Sequence, residues 1–193
     1  MTAIRSLAVF CGSRVGVNPI YACAGRALGD GLGRAGIRLV FGGGRIGIMG
    51  VVADAVLDAG GTVLGVIPEF LTQLEVAHER ATEMVVTDTM HTRKTRLYQE
   101  SDAFLIMPGG LGTFDEAFEI ITWRQLRLHD KPIILCNVAG SVDPLVATIE
   151  HAIEQGFADP ACRRLFEVIE GVPAVLERLE TLPPGSKGHA ERM

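Results

Sequence analysis

The sequence predicts an α/β fold in which a parallel sheet carries helices on both faces. Along the 193 residues, short runs rich in branched and aromatic side chains alternate with longer segments of helical periodicity. Strands that alternate with helices in this way indicate βαβ units and therefore a parallel sheet. Several predicted strands are followed by glycine-rich loops, as expected where the carboxyl ends of parallel strands line a ligand crevice.

The predicted strands are short apolar runs: Leu7–Cys11, Arg38–Phe41, Thr62–Ile67, Met84–Val86, Ala103–Met107 and Pro132–Cys136. The predicted helices are Pro19–Ala35, Ile48–Ala59, Met90–Ser101, Thr113–Leu128, Asp143–Gln155 and Val172–Leu179. No internal repeat or linker divides the chain, so we expect one domain over residues 1–181. The polar segment 182–193 is expected to be a flexible tail.

The composition limits the classes of function. Hydrophobic residues make up 48% and charged residues 21%, which is typical of a globular domain, and the net charge of −5 argues against a nucleic-acid-binding surface. The four cysteines form no CxxC pair and no zinc-like cluster, so no metal site is predicted, and Cys11 and Cys136 fit small core residues. The sequence has no signal-peptide pattern and no membrane-spanning apolar run, and we expect a cytoplasmic protein without a membrane partner.

The stretch GGGRIG, residues 42–47, spells GxGxxG between a predicted strand and a predicted helix. Such glycines let backbone N–H groups approach an anion at the positive end of the helix, and Gly43 and Gly44 are the predicted contacts. A dinucleotide site would also need an acid at the end of the next strand, where Glu69 comes slightly late after Pro68. A phosphate site, a dinucleotide site and a tight turn without a ligand all remain open.

The stretch PGGLGT, residues 108–113, follows the fifth predicted strand. Its glycines allow backbone conformations closed to other residues. Thr113 is placed as a helix N-cap and Glu116 falls three residues later, which is the pattern of a capping box. Glu116 fits a catalytic carboxylate equally well, and the two interpretations remain open. Asp115, predicted in the first helical turn, suits the helix dipole.

Two further segments suggest an anionic ligand. Ser13, in the CGSR stretch after the first predicted strand, can offer a hydroxyl and a backbone N–H to a phosphate, although a simple turn is the alternative. Arg93 and Lys94 lie in the first turns of a predicted helix, where positive charge opposes the dipole. That conflict favours an anionic partner, and a solvated charged face that includes Arg96 is the competing interpretation.

Together these stretches resemble the LOG family, the cytokinin riboside 5′-monophosphate phosphoribohydrolases. The matching segments cover most of residues 8–137: VFCGSRVGVNPIY, FGGGRIGIMGVVADA, GVIPEFL, MHTRKTRLYQESDAFLIMPGGLGTFDEAFEIITWRQLRLHDKPI and LCN. The PGGxGTxxE motif, which is specific to the family, is complete from Pro108 to Glu116. The resemblance implies a Rossmann-like, doubly wound fold and a homodimer. It also implies cleavage of the N-glycosidic bond of an adenosine 5′-monophosphate, often N6-substituted, with no cofactor.

The resemblance also assigns roles to residues. The Arg of the RK pair and the last Glu of PGGxGTxxE are catalytic in the family, and they fall on Arg93 and Glu116. The loops and the resemblance together predict these substrate-binding residues: Ser13, Gly43, Gly44, Glu75, Lys94, Gly109, Gly110, Gly112, Thr113, Asp115 and Thr122. Asp115 replaces a glutamate that is common in the family, and Arg14 stands where serine is frequent. Neither departure involves the catalytic pair.

The predicted function is an enzyme that acts on a small-molecule nucleoside 5′-monophosphate. Glu116 would stabilise the cationic sugar and Arg93 the departing base. A non-catalytic nucleotide-binding or sensing protein is the alternative, and an NAD-dependent oxidoreductase ranks last because no hydride-transfer constellation is evident. The helix after Glu116 has apolar residues on more than one side, which predicts either a dimer interface or burial within one subunit. These residues are Ala117, Ile120, Ile121, Trp123 and Leu128.

Overall fold

The computed structural model describes residues 4–72 and 77–183 of the chain. Seven strands lie in these ranges: β1 (Ser6–Phe10), β2 (Arg38–Phe41), β3 (Val63–Pro68), β4 (Glu83–Thr87), β5 (Ala103–Ile106), β6 (Ile133–Asn137) and β7 (Glu167–Glu170). The α-helices are α1 (Ile20–Ala35), α2 (Gly47–Asp58), α3 (Met90–Gln99), α4 (Leu111–Gln125), α5 (Asp143–Glu154) and α6 (Gly171–Thr181). Two short 3₁₀ segments, Glu69–Leu71 and Pro160–Arg164, complete the described elements.

The seven strands form one parallel sheet in the order β4-β3-β2-β1-β5-β6-β7. The chain moves outward from β1 to β4 and then returns to the other side of β1 to begin β5. The order therefore reverses between β1 and β5, which pair with Leu7 opposite Ala103. This is a doubly wound, Rossmann-like fold, and its ligand crevice is expected where the carboxyl ends of β1 and β5 diverge.

Different helices cover the two faces of the sheet. Helices α1, α2 and α6 pack on one face, and α3, α4 and α5 pack on the other. Successive residues of β1 alternate between these layers, so that Leu7 and Val9 join the first core while Ala8 and Phe10 join the second. A strand buried on both faces has this two-residue period. The predicted α/β fold with helices on both faces is confirmed.

Every predicted strand and helix is present, but two features differ from the prediction. The edge strand β7 is not predicted, because its sequence EVIE contains no apolar run and most of its side chains are exposed. The predicted start of α4 is wrong, since the helix begins at Leu111 with Gly110 as N-cap and no side-chain cap. Thr113 therefore lies inside the helix, and the predicted capping box with Glu116 does not form. The Thr113 side chain is instead buried against Gly109. A Cβ added to Gly109 would collide with the hydroxyl of Thr113.

Two other predictions concern the ends of the chain and membranes. Leu182, placed in the predicted tail, is 5% exposed and packs in the first core. Residues 184–193 lie outside the described part of the chain, so the flexible tail and the domain boundary at residue 181 stay predictions. Among the helices that the structure describes, none is long and apolar enough to cross a membrane.

Helices α1 and α2 pack in backbone contact through glycine. A Cβ on Gly29 would lie 2.5 Å from the carbonyl oxygen of Val52 and 2.6 Å from the Cβ of Ala55. Both atoms belong to a neighbouring helix, so neither can move without shifting backbone. The pair of helices that follows β1 and β2 is thus held at a fixed separation, which positions the start of α2 at the crevice.

We therefore expect Gly29→Ala to lower the free energy of unfolding by about 1–3 kcal/mol, because the added methyl group overpacks the α1–α2 contact. Urea titration followed by circular dichroism measures the change. Gly31→Ala on the same helix is the matched control, since the three atoms nearest to its methyl group all belong to the side chain of Leu176 and none to the backbone. Equal stability of the two variants would contradict the backbone-contact argument.

The second core contains a buried polar cluster at the end of the sheet opposite the crevice. His129 is 4% exposed, and its Nε2 lies 3.0 Å from the Ile120 carbonyl oxygen. Burial is the main cause that lowers the pKa of His129 to about 4, although the bond to Ile120 acts in the opposite direction. Lys131, 1% exposed, lies with its Nζ 3.8 Å from the centre of the Tyr98 ring and adds a smaller repulsion that also lowers this pKa.

The neutral state of His129 should make stability fall in mild acid. Between pH 6.5 and 4 the unfolded chain binds a proton at this imidazole and the folded chain does not, so stability decreases as pH falls. We expect the free energy of unfolding to be about 2 kcal/mol lower at pH 5 than at pH 7 from this group alone. In His129→Gln this component should disappear while the contributions of the carboxylates remain. Parallel pH profiles for the two proteins would disprove the assignment.

Candidate active site

The loops that follow β1 and β5 cross in direct backbone contact. The N–H of Gly12 donates to the carbonyl oxygen of Pro108 at 3.0 Å. The carbonyl oxygen of Gly12 accepts from the N–H groups of Ile48 and Met49 at 2.9 and 3.3 Å. The start of α2 is therefore capped by main chain, and two of its amides are already bonded. This disfavours the dinucleotide hypothesis, which needs those amides for a pyrophosphate.

The glycines of the GGGRIG stretch pack against other parts of the chain. Gly47 has φ 65° and lies so close to the Ser13 backbone that a Cβ would collide with it. Gly43, with φ 80°, packs against β3, and Gly44 forms an antiparallel bridge with Ala77. Gly43 and Gly44 are not among the described residues that line the two cavities at the crevice. Substrate contact by these two residues stays a prediction.

Helix α4, in contrast, begins without a side-chain cap. Its N-cap Gly110 has φ −112°, makes no side-chain bond, and is followed by no acidic residue in the first turn. Asp115, predicted in that turn, lies beyond it because the helix begins at Leu111. The first amides of a helix have no partner within it, and the helix dipole adds partial positive charge. This end of α4 is therefore suited to an oxyanion such as a phosphate group.

A cavity of about 130 Å³ extends from this helix end to Arg93 and Glu116. It is lined by Cys11, Gly12, Ser13, Met49, Arg93, Gly110, Leu111, Gly112, Thr113 and Glu116. The side chains of Arg93 and Glu116 are 6% and 12% exposed, and Nη1 of Arg93 lies 3.6 Å from Oε1 of Glu116. The structure thus brings the two predicted catalytic residues together beside four of the predicted substrate contacts.

Main-chain carbonyl groups hold the Arg93 guanidinium in place. Its Nε donates to the Val66 carbonyl oxygen at 3.2 Å, and its Nη2 donates to the Gly42 carbonyl oxygen at 3.4 Å. Val66 lies within β3 and Gly42 directly follows β2, so the sheet itself sets the direction of the side chain. The remaining nitrogen, Nη1, lies 3.6 Å from Oε1 of Glu116 and donates to Sδ of Met90 at 3.8 Å.

Cys11 is a part of this site that the sequence analysis placed only in the core. The residue is 7% exposed and lines the same cavity as Glu116. Burial, and to a lesser extent the charge of Glu116, raises the pKa of the Cys11 thiol well above its usual value. The thiol therefore stays protonated near neutral pH and adds no second negative charge beside Glu116. Its position directly after a buried strand at the crevice is the sequence signal that could have identified it.

A second, larger cavity of about 560 Å³ adjoins the first. Its lining is mostly apolar side chains and glycine backbone: Gly12, Ser13, Arg14, Val15, Gly16, Tyr21, Ile48, Pro108, Gly109, Gly110, Leu111 and Ser141. The two cavities share Gly12, Ser13, Gly110 and Leu111. The start of α4 thus lies between the two cavities, and an anion bound there would be accessible from either side.

The other predicted contacts lie elsewhere. Lys94 binds Asp115 at 2.7 Å and Glu119 at 3.3 Å on the outer side of α3 and α4. Burial acts to lower the pKa of Lys94, but the two carboxylates outweigh it and the pKa is raised. Lys94, Asp115 and the exposed Thr122 are not among the described residues that line the cavities. Glu75 lies outside the described residues, so its role stays a prediction.

Metal chemistry has no visible support in the described ranges. Within residues 4–72 and 77–183, no group of three or more His, Cys, Asp or Glu side chains is arranged to hold a metal ion.

Comparison with known proteins identifies the family. Residues 49–179 match the family described as "Possible lysine decarboxylase". A cytokinin riboside 5′-monophosphate phosphoribohydrolase of Rhodococcoides fascians is 44% identical over 89% of this chain and 89% of its own length. A probable enzyme of the same name from Oryza sativa subsp. japonica is 41% identical over 96% of this chain and 82% of its own length. The chain belongs to the LOG family.

The fold of this LOG-family chain is shared more widely than its sequence. The molybdenum cofactor binding protein of Rippkaea orientalis superposes with a TM-score of 0.70 over 94% of this chain and 98% of its own, at 19% identity. At that identity the likeness concerns the fold alone. The family predicted from the PGGxGTxxE motif is confirmed, and that motif supplies the start of α4 and Glu116.

Leu111 offers a direct test of the anion site. The side chain is 87% exposed at the first position of α4, and it lines both cavities. A carboxylate at this position suits the helix dipole but repels a bound phosphate. We therefore expect Leu111→Asp to keep or slightly raise the melting temperature while weakening the binding of adenosine 5′-monophosphate by about tenfold or more.

Leu111→Asn is the matched control, because it has nearly the same shape without the charge. Isothermal titration calorimetry and thermal unfolding give the two quantities separately. Equal nucleotide affinity of the Asp and Asn variants would mean that the phosphate does not lie at the start of α4.

Proposed function

We propose that this protein is a phosphoribohydrolase that cleaves the N-glycosidic bond of adenosine 5′-monophosphates, including N6-isoprenoid forms. The products are the free base, a cytokinin or adenine, and ribose 5-phosphate. The observation that carries the proposal is the buried Arg93–Glu116 pair at 3.6 Å, in a cavity that begins at the uncapped end of α4. The names of the LOG-family relatives support the same reaction.

Contacts with the 5′-phosphate of the substrate supply the binding energy that positions the reacting bond. The 5′-phosphate would lie on the amides of the loop after β5, with Gly109, Gly110, Gly112 and Thr113 as contacts and Ser13 opposite. Binding of this remote group positions the sugar over the first turns of α4 and so holds the reacting bond near Glu116. Glycine is needed in the loop because side chains would prevent a close approach of the backbone.

Glu116 and Arg93 then act on the charges that develop as the bond breaks. The C1′–N9 bond breaks as the sugar becomes cationic and the base takes up negative charge. The carboxylate of Glu116 stabilises the cation and orients or deprotonates the attacking water, whose oxygen bonds to C1′. Arg93 keeps Glu116 ionised and stabilises the departing base by charge and hydrogen bonds. The proton from water ends on the base, so the reaction is balanced as a hydrolysis.

We also propose that the protein is a cytoplasmic homodimer. Of the apolar residues that predicted a second side of α4, Ala117, Ile120 and Ile121 are buried in the core of the subunit and Trp123 packs against that core. Two apolar side chains outside that prediction, Phe118 on α4 and its C-cap Leu126, are 37% and 64% exposed. These exposed apolar side chains support an interface along α4, where Lys94, Asp115 and Thr122 would then approach a second subunit.

The reaction is tested by incubating the protein with adenosine 5′-monophosphate and, separately, with N6-isopentenyladenosine 5′-monophosphate. Chromatography should detect the free base together with ribose 5-phosphate. Tight nucleotide binding without release of base would instead support the non-catalytic nucleotide-binding alternative and refute the enzyme.

Glu116→Gln tests the role of the carboxylate. We expect kcat to fall by roughly 10²–10³-fold, because the amide has nearly the same shape but cannot stabilise the cationic sugar. The melting temperature should change little. Glu150→Gln is the control and should retain full activity. It removes a partly exposed carboxylate on α5 that is paired with Arg163. Unchanged kcat in Glu116→Gln would remove Glu116 from the mechanism.

A further inference from the structure

Gly42 stands directly beside the guanidinium of Arg93. The residue follows β2 and is buried. A Cβ built on it would collide with Nη2 of Arg93, and would lie 3.3 Å from Cζ of Arg93 and 3.5 Å from Sδ of Met49. The space that a side chain would need at Gly42 is therefore already occupied by Arg93.

The backbone conformation does not explain why glycine stands here. Gly43 and Gly47 of the same stretch have φ of 80° and 65°, which disfavour other residues, but Gly42 is not among the glycines with positive φ. A positive φ is therefore not the reason for glycine at position 42. The contact that a methyl group would make is thus the feature that separates glycine from alanine at this position.

Gly42 also contributes to the fixation of Arg93 through its carbonyl group. That oxygen accepts from Nη2 at 3.4 Å, while the Val66 carbonyl oxygen accepts from Nε at 3.2 Å. The guanidinium therefore lies between the ends of β2 and β3 on one side and Glu116 on the other. Its 3.6 Å distance to Glu116 depends on how closely it can approach the Gly42 backbone.

We propose that Gly42 is a positioning residue that sets the orientation of Arg93 toward Glu116 by leaving out a side chain. The proposal rests on the proposed function, in which Arg93 and Glu116 act on the reacting bond. Gly42 itself is not among the described residues that line the two cavities, so its effect passes through Arg93. The role of the first glycine of GGGRIG is thus to make room for a catalytic side chain.

The variant Gly42→Ala separates positioning from folding. The methyl group would meet the far end of a long flexible side chain, which can move, so the fold should be retained. The guanidinium must shift, and a displacement of this kind reduces transition-state stabilisation more than binding. We expect kcat for N6-isopentenyladenosine 5′-monophosphate to fall roughly 10–100-fold, with KM within about threefold and a nearly unchanged melting temperature.

Gly31→Ala is the matched control for this change. Its methyl group also meets the end of a flexible side chain, that of Leu176, but at the α1–α6 contact away from the crevice. This variant should keep the wild-type kcat. Loss of activity in both variants would indicate a general packing effect and would overturn the positioning role.

A double-mutant cycle shows whether Gly42 acts through Arg93. Arg93→Ala should lower kcat on its own, and adding Gly42→Ala to it should cause no further loss, because no guanidinium remains to be displaced. A further loss equal to that of the single variant would overturn the proposal. So would an unchanged kcat in Gly42→Ala alone.

An NMR measurement that does not depend on enzyme activity tests the position of Arg93 separately from the proposed function. The Nε–H of Arg93, bonded to Val66, should give a side-chain ¹⁵N NMR signal that exchanges slowly with solvent. In Gly42→Ala we expect a changed shift and faster exchange, and an unchanged signal would overturn the positioning role. If wild-type protein releases no base while the signal still responds to Gly42→Ala, the proposed function fails and the structural part of the inference stands.

Discussion

The peptide groups of Gly12 determine the architecture of the crevice. The N–H of this residue is bonded to the loop after β5, and its carbonyl is bonded to the first turn of α2. A Cβ at this position would lie 3.0 Å from the Arg14 carbonyl oxygen and 3.2 Å from the Cα of Gly109, so the close crossing favours glycine. One residue thereby joins three loops at the switch point of the sheet. The positions of Ser13 and the start of α4 both follow from this crossing.

The same crossing gives different roles to two helix ends that look alike in sequence. Helices α2 and α4 each follow a glycine-rich loop, and either loop is a plausible phosphate site. At α2 the Gly12 carbonyl satisfies two amides, whereas α4 begins at Gly110 with no side-chain cap and no acid in its first turn. The positive end left available is the one that leads along α4 to Glu116. The GxGxxG glycines pack against other parts of the chain, and the start of α4 is the helix end whose geometry remains suited to an anion.

Sequence patterns predicted six of the seven described strands, including the partly buried edge strand β4, and missed β7. The strands at the centre of the sheet are continuous apolar runs, and so their existence and order of appearance were readable. Strand β7 was not predicted, because its sequence EVIE, with a glutamate at each end, is not a continuous apolar run. The pairing of Arg93 with Glu116 follows from the family resemblance, because the residues alone left a competing interpretation for each: a solvated charged face for Arg93 and a capping box for Glu116. The carbonyl acceptors at Gly42 and Val66 were not predictable, since they depend on long-range register.

The buried Arg93–Glu116 pair is more widely spaced than a well-formed surface ion pair of the same chain. At the surface, Arg178 and Glu167 form a two-point contact at 2.8 and 2.9 Å, a close geometry for an ion pair. In the buried pair, Nη1 of Arg93 and Oε1 of Glu116 are 3.6 Å apart. This spacing is wide for a buried ion pair, because removing charges from water costs free energy that only a close contact offsets. Arg93 is held instead by two main-chain carbonyl groups, which fix its direction without closing it onto Glu116. In the proposed hydrolysis, this cation and anion at the small cavity would face the opposite charges that develop as the glycosidic bond breaks.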